Sequence, residues 1–126
     1  MAKDDDIRII EEIKKGNDKA FSELFDAYYN VLCFFSNKYV SDLDLSRSVV
    51  QQFFVDLWIN REKISINQSV KSYLFTSVRN ASIDYLRKNK ERPEKVQEIA
   101  KLQVPFRDLV EEAELNERIN LAINDL

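Results

Sequence analysis

The chain has 126 residues, of which 44% are hydrophobic and 11% aromatic, enough for one domain with a substantial core. It contains one glycine and two prolines, too few for the tight turns of a sandwich or barrel, so the composition predicts an all-α fold. It has no histidine and a single cysteine, Cys33, which removes the usual general base, the commonest metal ligand and any internal disulfide. The single glycine also argues against a loop that cradles phosphates. We therefore expect a non-enzyme with no catalytic residues, metal or cofactor.

The charge is unevenly distributed along the chain, whose net charge is −3. Residues 71–92 carry six basic and two acidic side chains, whereas residues 93–126 carry four basic and eight acidic ones. A basic segment within an acidic chain is a candidate phosphate-facing surface. The acidic N-terminal residues do not resemble a signal sequence, and no apolar run reaches the roughly 18 to 20 residues of a bilayer span. These features predict a cytoplasmic protein.

Two helices are predicted in the first forty residues. The first extends from about Asp6 to Lys15, with aspartates at its start that suit capping better than metal binding, and Gly16 ends it. Asn17 then caps a second helix with apolar residues every three or four positions. These residues are Phe21, Leu24, Phe25, Tyr28, Leu32, Phe35 and Tyr39. An aromatic stripe of this kind can hold a cofactor, but core packing is its commoner cause.

A third helix is predicted from the capping segment 41–44 to about Asn60. Its apolar residues are Leu45, Val49, Val50, Phe53, Phe54, Leu57 and Trp58. Arg47, Gln51 and Gln52 lie between them and can face a partner. Residues 61–68 form a polar connector to the next helix.

The fourth helix, roughly Ser69 to Asn89, has two different faces. At about 100° per residue, one arc of about 80° contains the residues predicted to be buried, which are Val70, Leu74, Val78, Ala81 and Tyr85. The opposite arc contains Ser72, Thr76, Arg79, Asn80, Ile83 and Arg87, with Phe75, Leu86 and Tyr73 at its edges. Guanidinium and amide groups can bond phosphates and base edges, and rings can stack on bases, so this face suits DNA whose strands are separated. A simple solvated helix face is the alternative.

Helices two to four are predicted to share one core. Its expected members are Phe25, Tyr28, Leu32, Phe53, Leu57, Leu74, Val78 and Ala81. Beyond Glu91, Pro93 and Pro105 bracket an acidic, weakly apolar stretch, which we expect to be a loosely packed linker. Leu115, Ile119, Ala122 and Leu126 then return to helical spacing, as a partial helix with a half-formed apolar face.

Three motifs, in order, resemble the extracytoplasmic-function (ECF) group of bacterial sigma factors. Residues 18–25 (DKAFSELF) with Tyr28 and Tyr29 are similar to the family's opening helix, and residues 49–58 (VVQQFFVDLW) resemble its "DLVQEVF…LW" segment. The pairs Tyr73-Leu74, Arg79-Asn80 and Ile83-Asp84, followed by Leu86-Arg87-Lys88, match "YL…RN…ID-x-LRR". The last residues, from Glu114, resemble the beginning of the family's second, helix-turn-helix domain.

The resemblance implies a compact, sigma region 2-like helical bundle at residues 1–91, a linker at 92–109 and the start of a truncated region 4-like domain at 110–126. It implies an alternative sigma factor that binds core RNA polymerase and recognises and melts the minus-ten promoter element to start transcription. In relatives the third helix docks on the clamp helices of the largest polymerase subunit. The fourth helix engages the minus-ten element, and the loop between them receives a flipped base of the non-template strand. Relatives often pair with an anti-sigma factor.

The resemblance also implies three sets of site residues. The DNA-binding residues would be Lys71, Tyr73, Phe75, Thr76, Arg79, Asn80, Ile83, Arg87 and Lys88. The flipped-base loop would comprise Ser65, Ile66, Asn67 and Gln68. The polymerase-binding residues would be Arg47, Val50, Gln51, Gln52, Phe54 and Val55. Carboxylates that relatives usually carry are absent at Arg47, Ser48 and Gln52, which reduces the predicted charge complementarity with polymerase.

Two other functions remain open. One is a helical protein-interaction or regulatory module whose basic face binds an acidic partner, and co-purification with core polymerase would distinguish it. The other is a sequence-indifferent single-strand binder, which would not prefer a minus-ten strand over a scrambled one.

Overall fold

The computed structural model describes residues 2–89 and 105–125, with side chains described from Asp6 onward. The described residues form α1 (Ala2–Lys14), α2 (Asp18–Val40), α3 (Leu43–Ile59), α4 (Val70–Lys88) and α5 (Phe106–Asn124). A single 3-10 turn, Arg61–Lys63, lies between α3 and α4. These ranges contain no strand, and the predicted all-α fold is confirmed.

Local capping explains where the helices begin and end. Asn17, Asp42 and Ser69 precede α2, α3 and α4, and each side-chain oxygen accepts a bond from a backbone N–H of the first turn, with distances of 3.0 to 3.2 Å. Such caps satisfy donors that have no partner within the helix. Gly16 ends the first helical segment with a φ of 89°, a conformation that glycine adopts without steric cost.

Two helix boundaries differ from the predicted ones. The first helix begins at Ala2, so Asp6 lies within it rather than at its cap, and its carboxylate accepts a 2.7 Å hydrogen bond from the Tyr28 hydroxyl on α2. The last helix begins at Phe106, inside the predicted linker 92–109. Residues 92–104 of that linker lie outside the described residues.

The long helix α2 is central, because all four other helices pack against it. Phe35 makes edge-to-face contacts with Phe75 of α4 and Phe106 of α5, at centroid distances of 5.0 and 5.6 Å. A buried hydrogen bond of 2.7 Å joins the hydroxyls of Ser36 and Ser82, which links α2 to α4. Apolar contacts therefore dominate this core, and the buried hydroxyl pair adds a polar contact between α2 and α4.

The predicted core lies in the correct place, but only half of its predicted members are buried. Leu32, Leu57, Leu74 and Val78 are buried. The half-buried members are Phe25, Tyr28, Phe53 and Ala81. These four side chains pack against the core and remain partly accessible to solvent.

The buried face of α4 is rotated by roughly 60° from the predicted arc, at about 100° per residue. Phe75, Ser82, Ile83 and Leu86 are buried, whereas Ala81 and Tyr85 are half-buried. The reason is that α1, α2 and α3 all contact α4, so a wider arc is covered than one neighbouring helix would cover.

Helix α5, at the end of the region after Glu91, packs on the bundle through a small buried contact. Val110 and Ala113 are buried against the bundle, and Lys38 of α2 forms a 2.6 Å ion pair with Glu112. On another side of α5, Leu115 and Ile119 are each 49% exposed, which agrees with the predicted half-formed apolar face. Over the described ranges, none of the helices combines the length and the apolar character needed to cross a bilayer.

Candidate nucleic-acid and polymerase interfaces

The exposed side of α4 forms an open groove lined by cationic and amide groups. Arg79, Asn80, Asp84 and Arg87 line this groove of about 520 Å³ with two apolar neighbours. Asn80 and Arg87 are exposed and Arg79 is half-buried. Burial raises the pKa of Tyr39, and the guanidinium of Arg79 beside it acts in the opposite direction. Arg79 thus lies beside the buried Tyr39, whereas Arg87 is exposed and accessible to a ligand.

The loop between α3 and α4 is anchored at its start. Arg61 Nη1 donates a 2.9 Å hydrogen bond to the carbonyl oxygen of Trp58, and its guanidinium lies 4.4 Å from the centre of the Trp58 ring. Ile64 is buried in the core. These contacts fix the backbone on the N-terminal side of residues 65–68, the exposed part of the loop.

A small pocket of about 220 Å³ lies beside this loop. Its walls are formed by Phe53, Asp56, Leu57, Asn60, Lys63, Ile64 and Tyr73. The pocket combines an aromatic and apolar lining with a carboxylate, an amide and an ammonium group. Rings stack on bases and such polar groups hydrogen-bond base edges, so the pocket has the chemistry to hold an unstacked base.

A second groove, of about 620 Å³, lies between α2 and α3. It is lined by Asp18, Phe21, Ser22, Phe25, Gln51, Phe54, Val55, Trp58 and Ile59. Val55 is 49% and Ile59 66% exposed, although both are large apolar residues. The Gln51 amide donates a 3.0 Å hydrogen bond to the Tyr29 hydroxyl and is thereby oriented at the edge of the groove. An apolar floor with a polar edge is typical of a protein-binding surface.

Comparison with known proteins connects these surfaces to one family. The sequence model of Sigma-70 region 2 matches residues 24–92, from the first half of α2 through α4. The chain belongs to the Sigma-70 region 2 family. The resemblance predicted from the three motifs is thereby confirmed.

One curated relative supports this assignment. Over 81 residues the region 2 chain is 25% identical to "ECF RNA polymerase sigma factor SigW" of Bacillus subtilis (strain 168). The alignment covers 64% of this chain and 43% of the relative, so the match spans less than half of the relative's length. No solved structure matches the chain.

Within this sigma region 2 chain, two of the predicted DNA-binding residues have little accessible surface. Phe75 is 1% and Ile83 9% exposed, because both pack into the bundle. A ring that contacts Phe35 edge to face cannot also stack on a base without leaving the core. Tyr73 and Thr76 are half-buried and remain accessible in part, and Arg79, Asn80 and Arg87 line the groove of α4.

The two lysines of the predicted DNA-binding set are engaged in ion pairs. Lys71 Nζ lies 2.8 Å from Glu114 Oε2 of α5, and Lys88 Nζ lies 3.1 Å from Asp84 Oδ2 one turn away. Asp84 thus pairs with a lysine of its own helix. Exposed pairs of this type are weak, about 0.2 to 1 kcal/mol, so either lysine can exchange its partner for a phosphate.

The predicted loop residues of the region 2 chain are accessible but do not line the pocket. Ser65, Asn67 and Gln68 are exposed and Ile66 is half-buried. The pocket instead uses Asp56, Asn60 and Lys63, which the sequence analysis missed. The sequence could have identified them, because they are polar residues on either side of the junction between α3 and the connector.

The predicted polymerase-binding set is also divided by burial. Val50 and Phe54 are almost fully buried and hold α3 on the bundle, and Phe54 also forms part of the lining of the groove between α2 and α3. Arg47, Gln51, Gln52 and Val55 are exposed. The sequence analysis missed Phe21, Phe25, Trp58 and Ile59, which line the groove beside this set. The sequence feature that could have indicated this groove is the pair Val55 and Ile59, two apolar residues one turn apart outside the core face of α3.

Proposed function

We propose that this chain is the promoter-melting part of an ECF-type alternative sigma factor, which binds core RNA polymerase and the minus-ten element to start transcription. Membership of the Sigma-70 region 2 family carries the proposal, because the match extends over the helices that present the grooves, the loop and the pocket. The similarity to a protein named as an ECF sigma factor supports the more specific assignment.

In this proposal the groove of α4 binds the separated non-template strand. Arg79 and Arg87 contact phosphates, while the Asn80 amide offers one donor and one acceptor to a base edge. Unstacking bases costs a few kcal/mol per step, which stacking and phosphate contacts on the open strand offset. The protein therefore melts DNA by binding the open form more strongly than the duplex.

The pocket beside the loop receives one extruded base. Tyr73 and Phe53 provide ring surfaces, and Asp56, Asn60 and Lys63 provide hydrogen-bonding groups. The exposed loop residues Ser65, Asn67 and Gln68 contact the strand next to it. Since a base held in this way is read by its edge, the pocket contributes specificity rather than general affinity.

The exposed side of α3 and the adjoining groove dock on polymerase, at the clamp helices of its largest subunit. Gln51, Val55 and Ile59 are accessible there. The chain lacks carboxylates at Arg47 and Gln52, but these side chains donate to Asp44 and Asp56 at 2.8 and 2.9 Å. Asp56 keeps a negative charge on this surface, whereas Arg47 balances the charge of Asp44, so we expect the docking mode to be retained with weaker steering.

The proposed function requires binding and no covalent chemistry. Burial raises the pKa of the Cys33 thiol to about 11, so at neutral pH this side chain is protonated and packs as a small apolar group. We accordingly propose a binding subunit rather than an enzyme, acting in the cytoplasm and open to control by an anti-sigma factor.

The test combines polymerase capture with strand discrimination. The chain should co-purify with core polymerase, and the complex should prefer a minus-ten non-template oligonucleotide over a scrambled one in fluorescence anisotropy. Equal affinity for both strands would instead favour a sequence-indifferent single-strand binder. Failure to bind polymerase and both strands would favour a protein-interaction module.

A further inference from the structure

The helix α5 lies against the face of the bundle that α2 and α4 share. Glu114 pairs with Lys71 of α4 at 2.8 Å, and Glu112 pairs with Lys38 of α2 at 2.6 Å. Phe106 packs on Phe35, which itself contacts Phe75 of α4. The contact therefore has an apolar centre with an ion pair to each of the two helices.

The charge of α5 is opposite to that of the residues it covers. The helix carries five acidic and two basic side chains, within a chain whose basic residues are concentrated at 71–92. The Glu114 carboxylate bonds the ammonium group of Lys71, and it carries negative charge as a phosphate oxygen does. An acidic helix and a nucleic-acid strand are thus alternative ligands for the same ammonium group.

The apolar part of this contact is small enough to open while the bundle stays folded. Among the described residues of α5, only Val110 and Ala113 are buried, whereas Phe106 and Leu109 are half-buried. The largest fully buried side chains of the core, such as Leu32, Leu74 and Val78, belong to helices other than α5. Separation of α5 therefore leaves most of the core in place.

We propose that the surface formed by Lys38 and Phe35 of α2 and by Lys71 and Phe75 of α4 is a docking site for an acidic amphipathic helix. In this structure α5 occupies the site, and it competes with the promoter strand for Lys71. The inference rests on the proposed function, because it assumes that α4 binds DNA. Its consequence is that the free chain binds DNA more weakly than the same bundle with α5 displaced.

The first test removes one carboxylate without changing its shape. The Glu114→Gln variant should bind a fluorescent minus-ten single strand about two- to fivefold more tightly than the original chain, the range expected for loss of one exposed ion pair. Glu111→Gln is the matched control. It removes the same charge from the same helix, but Glu111 pairs with Arg107 within α5 at 3.3 Å. The control isolates the Lys71 contact from the general effect of net charge.

The second test displaces α5 itself. Val110→Asp places a carboxylate in the buried contact, and Leu115→Asp places the same group at a residue that is 49% exposed. The first change should tighten DNA binding although it adds negative charge, and the second should not. Circular dichroism in urea shows whether the bundle stays folded. If Val110→Asp unfolds it, the comparison of Glu114→Gln with Glu111→Gln tests the proposal by itself.

Two outcomes overturn the proposal. Equal effects of Glu114→Gln and Glu111→Gln on DNA affinity would show that α5 does not compete with DNA for Lys71. The proposed function would still stand in that case if Lys71→Ala and Arg87→Ala weakened DNA binding. If neither of these lysine and arginine variants changed DNA affinity, with or without core polymerase, the proposed function itself would fail, and the competition with it.

Discussion

At the scale of single residues, Arg87 and Asn80 share the exposed groove of α4 but differ in the property they contribute. Arg87→Ala should weaken binding to matched and scrambled strands alike and reduce the salt slope by about one unit or less, because it removes a phosphate contact. Asn80→Ala should lower discrimination between the strands by roughly 1 to 3 kcal/mol with the salt slope nearly unchanged. Oligonucleotide affinity against salt, with core polymerase present, measures both.

The outcome that contradicts this assignment is an identical effect of both variants on both strands. Neither change should alter folding, since surface substitutions seldom exceed about half a kcal/mol. Arg79→Ala is a less clean probe, because its guanidinium lies beside the buried Tyr39.

The buried pair Ser36 and Ser82 gives a stability prediction in which the two residues are not equivalent. Ser82 donates to the carbonyl oxygen of Val78 at 2.7 Å, so Ser36 is the donor in the bond between the hydroxyls. Ser82→Ala leaves the Ser36 hydroxyl without its partner and should cost about 1 to 3 kcal/mol, whereas Ser36→Ala leaves Ser82 bonded and should cost less. Urea unfolding of both variants and of the double variant measures the difference, and equal losses would contradict it.

At the scale of the elements, α3 separates its two functions by face. Val50 and Phe54 anchor the helix, while Val55 and Ile59 stay exposed beside the groove. Val55→Asp and Ile59→Asp should each lower affinity for core polymerase by more than about 1 kcal/mol, because each places a charge in an apolar contact. The urea midpoint should barely change. Ile123→Asp on α5 is the control, since Ile123 is also an exposed apolar residue and lies outside the groove.

A polymerase affinity that falls as much for Ile123→Asp as for Val55→Asp would show that the groove is not the docking surface. Pull-down or biolayer interferometry with immobilised core enzyme measures this directly. The same experiment on Phe54→Ala would be uninformative, because that change damages the core before it affects any surface.

At the scale of the whole molecule, Phe35 joins three helices at one ring. It contacts Phe75 and Phe106 edge to face and is fully buried. Phe35→Ala should reduce the free energy of unfolding by about 3 to 5 kcal/mol, as expected for loss of a large core ring. Phe34→Ala, at the half-buried neighbouring position, should cost clearly less. Thermal or urea unfolding by circular dichroism compares them, and equal losses would place the centre of the core elsewhere.

The sequence alone determined the helical class, the order of the main helices and most of their ends, together with the family. These properties are local: apolar residues recur with the helical period, and the caps Asn17, Asp42 and Ser69 act within a single turn. The exposure of Asn80 and Arg87 and the burial of Leu74 and Val78 also followed from that period.

Only the tertiary structure decided which residues beside the apolar face of each helix are buried by neighbouring helices. Phe75 and Ile83 are buried because several helices surround α4, and Val50 and Phe54 are buried because α3 presses on the bundle. The position of α5, and with it the pairing of Lys71 with Glu114, depends on residues 43 positions apart. Helical periodicity describes one helix at a time, whereas burial depends on how many neighbours approach it and from which side.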